Sequence, residues 1–226
     1  MKTVYRDQRG MSRRDFLLLS AGVICTSMIG HNAVAASNQQ SGPEFIESTY
    51  SKDGKIQNKA LIAYASRCGS TGGVADAIGQ ELCVTGTSID VRLVGKVNDL
   101  SSYQTVIVGS AIRRGRWLPE ALDFVKKHRD VLREVPTAYF VVCLTMKDDT
   151  PENHSKVLSY LDPVRKETPQ IQPVDIGLFA GAVNFTKLSF VNKSILKARG
   201  ATEGDFRNWS AIRAWATEIR PTLLGT

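Results

Sequence analysis

The chain has 226 residues, 42% hydrophobic and 23% charged, with 29 Lys and Arg against 22 Asp and Glu for a net charge of +7. That excess is too mild to mark a nucleic-acid-binding protein, and no long basic run, RNA-binding aromatic motif or zinc pattern accompanies it. Cys68, Cys83 and Cys143 are too few and too widely spaced for a disulfide framework, and His128 and His154 stand at no ligand spacing to them, so no metal site is expected.

Residues 1–35 read as a targeting segment. Arg13 and Arg14 precede Asp15, Phe16 and Leu17; an apolar run follows to Ile29; Ala33 and Ala35 then stand in the small-x-small spacing of a cleavage site. A run this short, with these flanks, is a secretory signal rather than a membrane span. The Ser-Arg-Arg-x-Phe-Leu pattern over residues 12–17 resembles the twin-arginine export signal. The resemblance implies contact with the export machinery through 12–17 and a periplasmic or otherwise extracytoplasmic destination. It also implies a protein that folds, often around a cofactor, before it crosses. Residues 36–58 are polar and without apolar periodicity, as in a linker or flexible arm. Residues 59–224 remain as one domain, long enough for a single core.

Within that domain, Ala60–Tyr64 is a short apolar run, a buried strand. Thr71–Cys83 has helical spacing in Val74, Ala77, Ile78 and Leu82. Ser88–Val94 alternates as a second strand nearer an edge, and Thr105–Gly109 is a third. Leu118–Leu132 is helical, with Pro119 in its first turn. Thr137–Leu144 reads as a central strand, Glu152–Lys166 as a helix and Val174–Ala180 as the fifth strand. Trp209–Ile219 closes the chain as a helix with Trp209, Ile212, Trp215, Ala216 and Ile219 on one stripe. Strands alternating with helices, three of them nearly continuous apolar runs, mean an α/β domain: a doubly wound five-stranded parallel sheet with helices on both faces. Ligands of such sheets bind beyond the carboxyl ends of the strands.

The junction of the first strand and helix reads Ser66-Arg67-Cys68-Gly69-Ser70-Thr71. Unpaired backbone N–H groups and the positive end of the helix dipole make such a place an anion site. The hydroxyls of Ser66, Ser70 and Thr71 add donors, and Gly69 permits a tight turn. No lysine follows, so this is not the GxxxxGK[ST] nucleotide loop, and GxGxxG is also absent. What remains favours one phosphate monoester, as in a mononucleotide such as FMN; the bland alternative is a plain strand-to-helix turn.

The run ASRCGST after the first strand resembles the flavodoxin phosphate loop. VIVGSAIRRGRWLPEALDFVKKH, LFAGAVNF and DFRNWSAIRAWATEI are similar to the branch of flavodoxin-like, menaquinone-dependent protoporphyrinogen dehydrogenases. The resemblance spans about Lys59–Ile219 and implies strand order 2-1-3-4-5 and bound FMN. It implies that Ser66, Arg67, Cys68, Gly69, Ser70 and Thr71 hold the phosphate. Ser110, Ala111, Ile112, Arg113, Arg114, Gly115, Arg116 and Trp117 would lie against the flavin ring, and Leu144, Thr145 and Met146, with Lys147, would border its pyrimidine edge.

Trp117 then either stacks on the flavin or packs on protein. Arg113, Arg114 and Arg116 meet a carboxylated substrate, an acidic partner or a reduced flavin, or form a solvated loop. Electron-carrier flavodoxins surround the flavin with acid, so this basic loop departs from a simple carrier. Cys68 reads as a small loop residue rather than a reactive thiol, Cys83 and Cys143 as buried small hydrophobes, and both histidines as surface residues. The segment 184–200 mixes Phe185, Leu188, Phe190, Val191, Ile195 and Leu196 with Lys187, Lys193, Lys197 and Arg199. It contacts a membrane surface peripherally or caps a quinone pocket, or it is a helix packing its apolar side on the sheet edge. Three functions are consistent with this reading. The first is electron transfer between a reduced donor and an acceptor such as menaquinone or another quinone. The second is porphyrinogen oxidation, and the third a flavin-free binding module.

Overall fold

The apolar runs become the sheet. The computed structural model describes residues 45–187, 193–194 and 202–225, all within one unit, Ser41–Thr226. Six strands, β1 (Ser48–Ser51), β2 (Asn58–Ala65), β3 (Thr87–Leu93), β4 (Thr105–Arg113), β6 (Thr137–Val142) and β7 (Ile176–Phe179), lie in the order β1-β3-β2-β4-β6-β7. A seventh, β5 (Arg116–Trp117), pairs with β4. The contacts among β3, β2, β4, β6 and β7 are all parallel, which is the expected 2-1-3-4-5 order of a flavodoxin-like doubly wound sheet.

Alternation along each central strand feeds two cores. Leu61 and Ala63 of β2 face α2 (Pro119–Lys127), α4 (Pro151–Ser159) and α5 (Asp162–Glu167), through Phe124, Val157 and Val164. Ile62 and Tyr64 face α1 (Ser70–Leu82) and α6 (Trp209–Leu224), through Val74, Ile78, Ile212 and Ala216. Because both faces are covered, the central strands carry nearly continuous apolar runs, Ala60–Ala65 in β2 and Val106–Val108 in β4. The last carbonyls of α6 are met from the sheet: Thr105 Oγ1 donates to Leu223 O at 2.7 Å and Asn58 Nδ2 to Leu224 O at 3.2 Å.

Three elements differ from the sequence reading. The expected helix 152–166 is two helices, because Pro163 lacks the N–H that would continue the ladder and instead opens α5; the chain turns at Tyr160 and Leu161. The expected helix 118–132 is likewise interrupted at His128, before α3 (Arg129–Leu132). That histidine is buried rather than on the surface, its ring 4.7 Å from Phe124.

The third difference is β1, which lies inside the stretch 36–58 read as a linker or flexible arm. It pairs antiparallel with β3, from Ser48↔Val91 to Ser51↔Ser88, and covers what would be an open edge. Its polar sequence, STYS, gave no apolar signal, because side-chain hydrogen bonds hold it. Ser48 Oγ and Tyr50 Oη both donate to Asp76 of α1. Thr49 Oγ1 donates to Asp90 at 2.6 Å.

Asp90 is the knot of that edge. Its carboxylate also accepts from Tyr103 Oη at 2.8 Å and pairs with Lys59 at 3.2 Å and Arg92 at 3.0 Å. Burial alone would raise its pKa, but the Thr49, Tyr103 and Lys59 hydrogen bonds and the Arg92 charge outweigh burial and hold it below the ordinary carboxylate value. A lowered folded pKa contributes stability above the ordinary value of about 3.9, and that stability is lost as pH falls through the folded value. Asp90→Asn is therefore expected to lower stability by about 1.5–3 kcal/mol near neutral pH and to flatten the acid limb of stability against pH. Urea unfolding of both proteins between pH 7 and pH 3 reads both effects; parallel acid limbs would contradict this role.

Candidate functional site

The parallel strands deliver four connections to one edge of the sheet. Ala65 of β2 pairs with Ser110 of β4, and Ala111 with Val142 of β6. Cys143 N then donates to Phe179 O at the end of β7. The segments after these residues, 66–69, 111–115, 144–147 and 180–184, are therefore neighbours, where a doubly wound sheet binds its ligands.

The first connection turns tightly into α1. Gly69 holds φ 86°, a left-handed conformation that favours glycine, and its N–H donates to Ser66 Oγ at 3.0 Å. No side chain caps α1 and no acidic residue stands in its first turn. The contrast is with α4 and α6, whose ends accept caps from Thr150 and Asn208. The N-terminal pole of α1 is thus left electropositive. Thr71 is fully buried in its first turn, and its Oγ1 has no hydrogen-bond partner among the described residues. A buried hydroxyl without a partner costs about 1–3 kcal/mol, which a ligand oxygen accepting its proton would offset.

Gly72 and Gly73 are there for close approach. A Cβ on Gly72 would stand 2.9 Å from the hydroxyl of Tyr64, and one on Gly73 would collide with Nη1 of Arg207. Tyr64 in turn donates to Ile46 O at 2.8 Å, and burial pushes its pKa up to about 12. That bond fastens the chain before β1 beside α1. Ile46, Cys68, Gly69, Ser70 and Gly73 then form one side of a cleft of about 440 Å³. The other side is a two-stranded ribbon, β8 (Ala182–Val183) against β9 (Gly204–Asp205), followed by Arg207.

The predicted site residues separate into those that face this cleft and those that do not. Cys68, Gly69 and Ser70 line it. Ser66 holds the turn through its hydroxyl, and Thr71 lies behind it with its unpartnered Oγ1. Arg67 reaches away to Glu120 of α2 at 2.9 Å. Burial raises the Cys68 thiol pKa, while the nearby Arg113 charge works against that rise, so this is no activated thiolate.

The second connection is a hairpin. Arg113 pairs with Arg116 across a two-residue turn with positive φ at both Arg114 (55°) and Gly115 (71°), as a tight hairpin requires. Ser110 is wholly buried and holds its base, donating to Ala111 O at 2.8 Å and accepting from Leu118 N at 3.0 Å. Ala111 and Ile112 are half-buried, whereas Arg113, Arg114 and Arg116 stand exposed. Trp117 is only 3% exposed and packs edge-on against Tyr139 at 5.2 Å. Of its two expected roles it takes packing on protein, because the β4–β5 pairing turns its side chain into the core.

Leu144–Lys147 is a short 3-10 turn. Leu144 and Thr145 are half-buried in it, Met146 is buried, and the Lys147 ammonium lies 4.6 Å from the Phe206 ring centroid. Neither this turn nor the hairpin lines the cleft; both flank it along the same edge of the sheet. Most of the segment 184–200 lies outside the described residues, as does the expected export signal 1–35. Two cleft features escaped the sequence reading, Ile46 and Arg207. The glycine pair after Thr71 was a local sign that other groups approach this helix closely.

A family model described as a flavodoxin domain matches residues 61–208. Protoporphyrinogen IX dehydrogenase (quinone) of Escherichia coli strain K12 is 28% identical over 184 residues, covering 73% of this chain and 99% of the relative. A protein of the same name from Leishmania major is 26% identical over 176 residues, covering 71% and 74%. Among solved structures, oxidised Flavodoxin 1 from Bacillus cereus aligns with TM-score 0.41 at 19% identity, over 63% of this chain and 95% of that one. A flavodoxin from the domain Archaea aligns with TM-score 0.42 at 16% identity, over 73% and 98%. The family model covers most of the chain, from the central strand β2 to the start of the last helix, and the chain belongs to the flavodoxin-domain family.

Proposed function

We propose that this protein is an exported redox protein that holds FMN at the carboxyl edge of its sheet and passes electrons from a reduced donor to a quinone-class acceptor. The observation that carries the reading is the Thr71 hydroxyl, fully buried without a partner at the uncapped end of α1. A phosphate monoester supplies the missing acceptor and the negative charge that end favours. When bound, FMN would supply the electron chemistry; the chain's part is to bind, orient and set the field. Ser70 and Thr71 would present backbone N–H groups to the phosphate, while the Gly69 N–H stays on Ser66 Oγ and holds the turn. The hairpin from Ser110 to Gly115 and the turn Leu144–Met146 would flank the ring. The exposed Arg113, Arg114 and Arg116 place positive potential beside it, which favours an anionic reduced form and attracts carboxylated or otherwise acidic reactants.

The narrower alternative is oxidation of a porphyrinogen with a quinone as acceptor. It is favoured by the two relatives that bear that activity in their names, one matched over 99% of its length. The basic hairpin suits a substrate with carboxylate arms. Export rests on the pattern at residues 12–17, and peripheral membrane contact through 184–200 rests on the mixed basic and apolar composition there; both are part of the proposal.

Two measurements test the reading. Thr71→Val keeps the shape and removes the hydroxyl, so the apoprotein is expected to melt at the same temperature or higher. FMN affinity is expected to fall about tenfold, the worth of one hydrogen bond to a charged group. Unchanged FMN affinity would displace the phosphate from this loop. Replacing Arg13 and Arg14 together by Lys is expected to leave the protein in the cytoplasmic fraction of cells that export the parent chain; export at the parent level would contradict the twin-arginine route.

A further inference from the structure

Arg207 stands where a cation is least expected. It lines the cleft against the first turn of α1, with Nη1 3.5 Å from Ser70 O. A helix N-terminus is the positive pole of its dipole and repels a guanidinium. Nevertheless two contacts and one gap hold Arg207 there. Its Nε and Nη2 donate to the two oxygens of Asp205 at 2.8 Å and 2.6 Å, a bidentate fork. Its guanidinium carbon lies 4.3 Å from the centroid of the Trp209 ring. The absence of a side chain at Gly73 leaves room for Nη1. The ribbon β8–β9 sets the position of Asp205, and Phe206 N fastens the ribbon's return to Gly181 O.

The pair is oriented. The Arg207 side chain is 17% exposed and that of Asp205 45%, so the cation is the inner partner and the carboxylate the outer one. Asp205 occupies Nε and Nη2, and Nη1 donates one hydrogen to Ser70 O at 3.5 Å, which leaves its second hydrogen for the cleft. Two positive features, the uncapped helix end and this nitrogen, thus converge on the cleft. An anion there removes the repulsion between them and binds to both.

We infer that Arg207 is a specificity-determining residue for the phosphate of the bound flavin, with Asp205 and Trp209 positioning it. The inference rests on the reading of this cleft as the phosphate end of an FMN site. Its consequence is selective. Arg207 strengthens binding of the phosphorylated flavin and leaves binding of riboflavin, which shares the ring and lacks the phosphate, unchanged.

The test is a titration of full-chain apoprotein with FMN and with riboflavin, followed by quenching of flavin fluorescence. Arg207→Met is expected to weaken FMN about tenfold to a hundredfold, the range for a charge-assisted hydrogen bond. Riboflavin affinity should stay within about twofold, well under the change expected for FMN. Gly73→Ala is the second variant. Alanine favours the helix over glycine, so folding is not at risk, while its methyl displaces Nη1; the ratio of FMN to riboflavin affinity should fall in the same direction. Equal losses for both flavins would make Arg207 merely structural and overturn the inference. So would an undiminished preference for FMN in both variants, with the FMN site itself intact. Parent protein that binds neither flavin would overturn the FMN site and the inference together.

Discussion

The site depends on one unbalanced helix end. β2 delivers the chain to the edge of the sheet, Gly69 turns it, and α1 begins with no cap and no acid in its first turn. A helix begun this way leaves donors and positive potential unanswered. The surroundings reinforce that condition rather than relieve it. Thr71 adds a buried hydroxyl without a partner, and Arg207 adds a guanidinium nitrogen. Tyr64 fills the space under Gly72 and fastens Ile46 alongside. The uncapped end, the Thr71 hydroxyl and the guanidinium beside that end cost stability in the protein alone and are consistent with a ligand that brings negative charge and acceptor oxygens.

The arginines of this edge divide by what restrains them. Arg207 is fixed by a carboxylate and an indole and turned inward. Arg67, inside the loop itself, is drawn off to Glu120 and leaves the cleft. Arg113, Arg114 and Arg116 extend from the β4–β5 hairpin into solvent, where they act at longer range and are screened by salt. The fold thus separates a local, half-buried charge suited to holding a ligand from an exposed patch suited to meeting reactants. The second differs from the acidic surround of carrier flavodoxins and fits a partner or substrate that is itself negative.

Much of this was legible in the sequence because burial writes itself into apolar runs. The β2, β4 and β6 cores could be read directly, and their alternation with helices gave the parallel order. The turn residues Ser66–Thr71 marked the uncapped end of α1, because small, hydroxylated residues gather where a strand hands over to a helix. The missed parts are held by long-range polar contacts. β1 carries no apolar pattern and is ordered by Asp76 and Asp90, which lie 26 to 41 residues further along the chain. Arg207 meets Ser70 across 137 residues. Trp117 was ambiguous because an aromatic after a basic turn serves a ligand or a core equally well. Only the strand pairing, which sends it toward Tyr139, decides between them. The helix over 152–166 was over-extended because apolar periodicity continued through Pro163, whose missing N–H the pattern does not register.

The central claim is that the electropositive end of α1 exists to hold FMN. The most direct measurement is the visible absorption spectrum of the protein purified from an export-competent host, with the chromophore released by denaturation and identified. The account predicts flavin bands and the release of FMN, not riboflavin or a dinucleotide. A colourless protein that also fails to take up added FMN would contradict it.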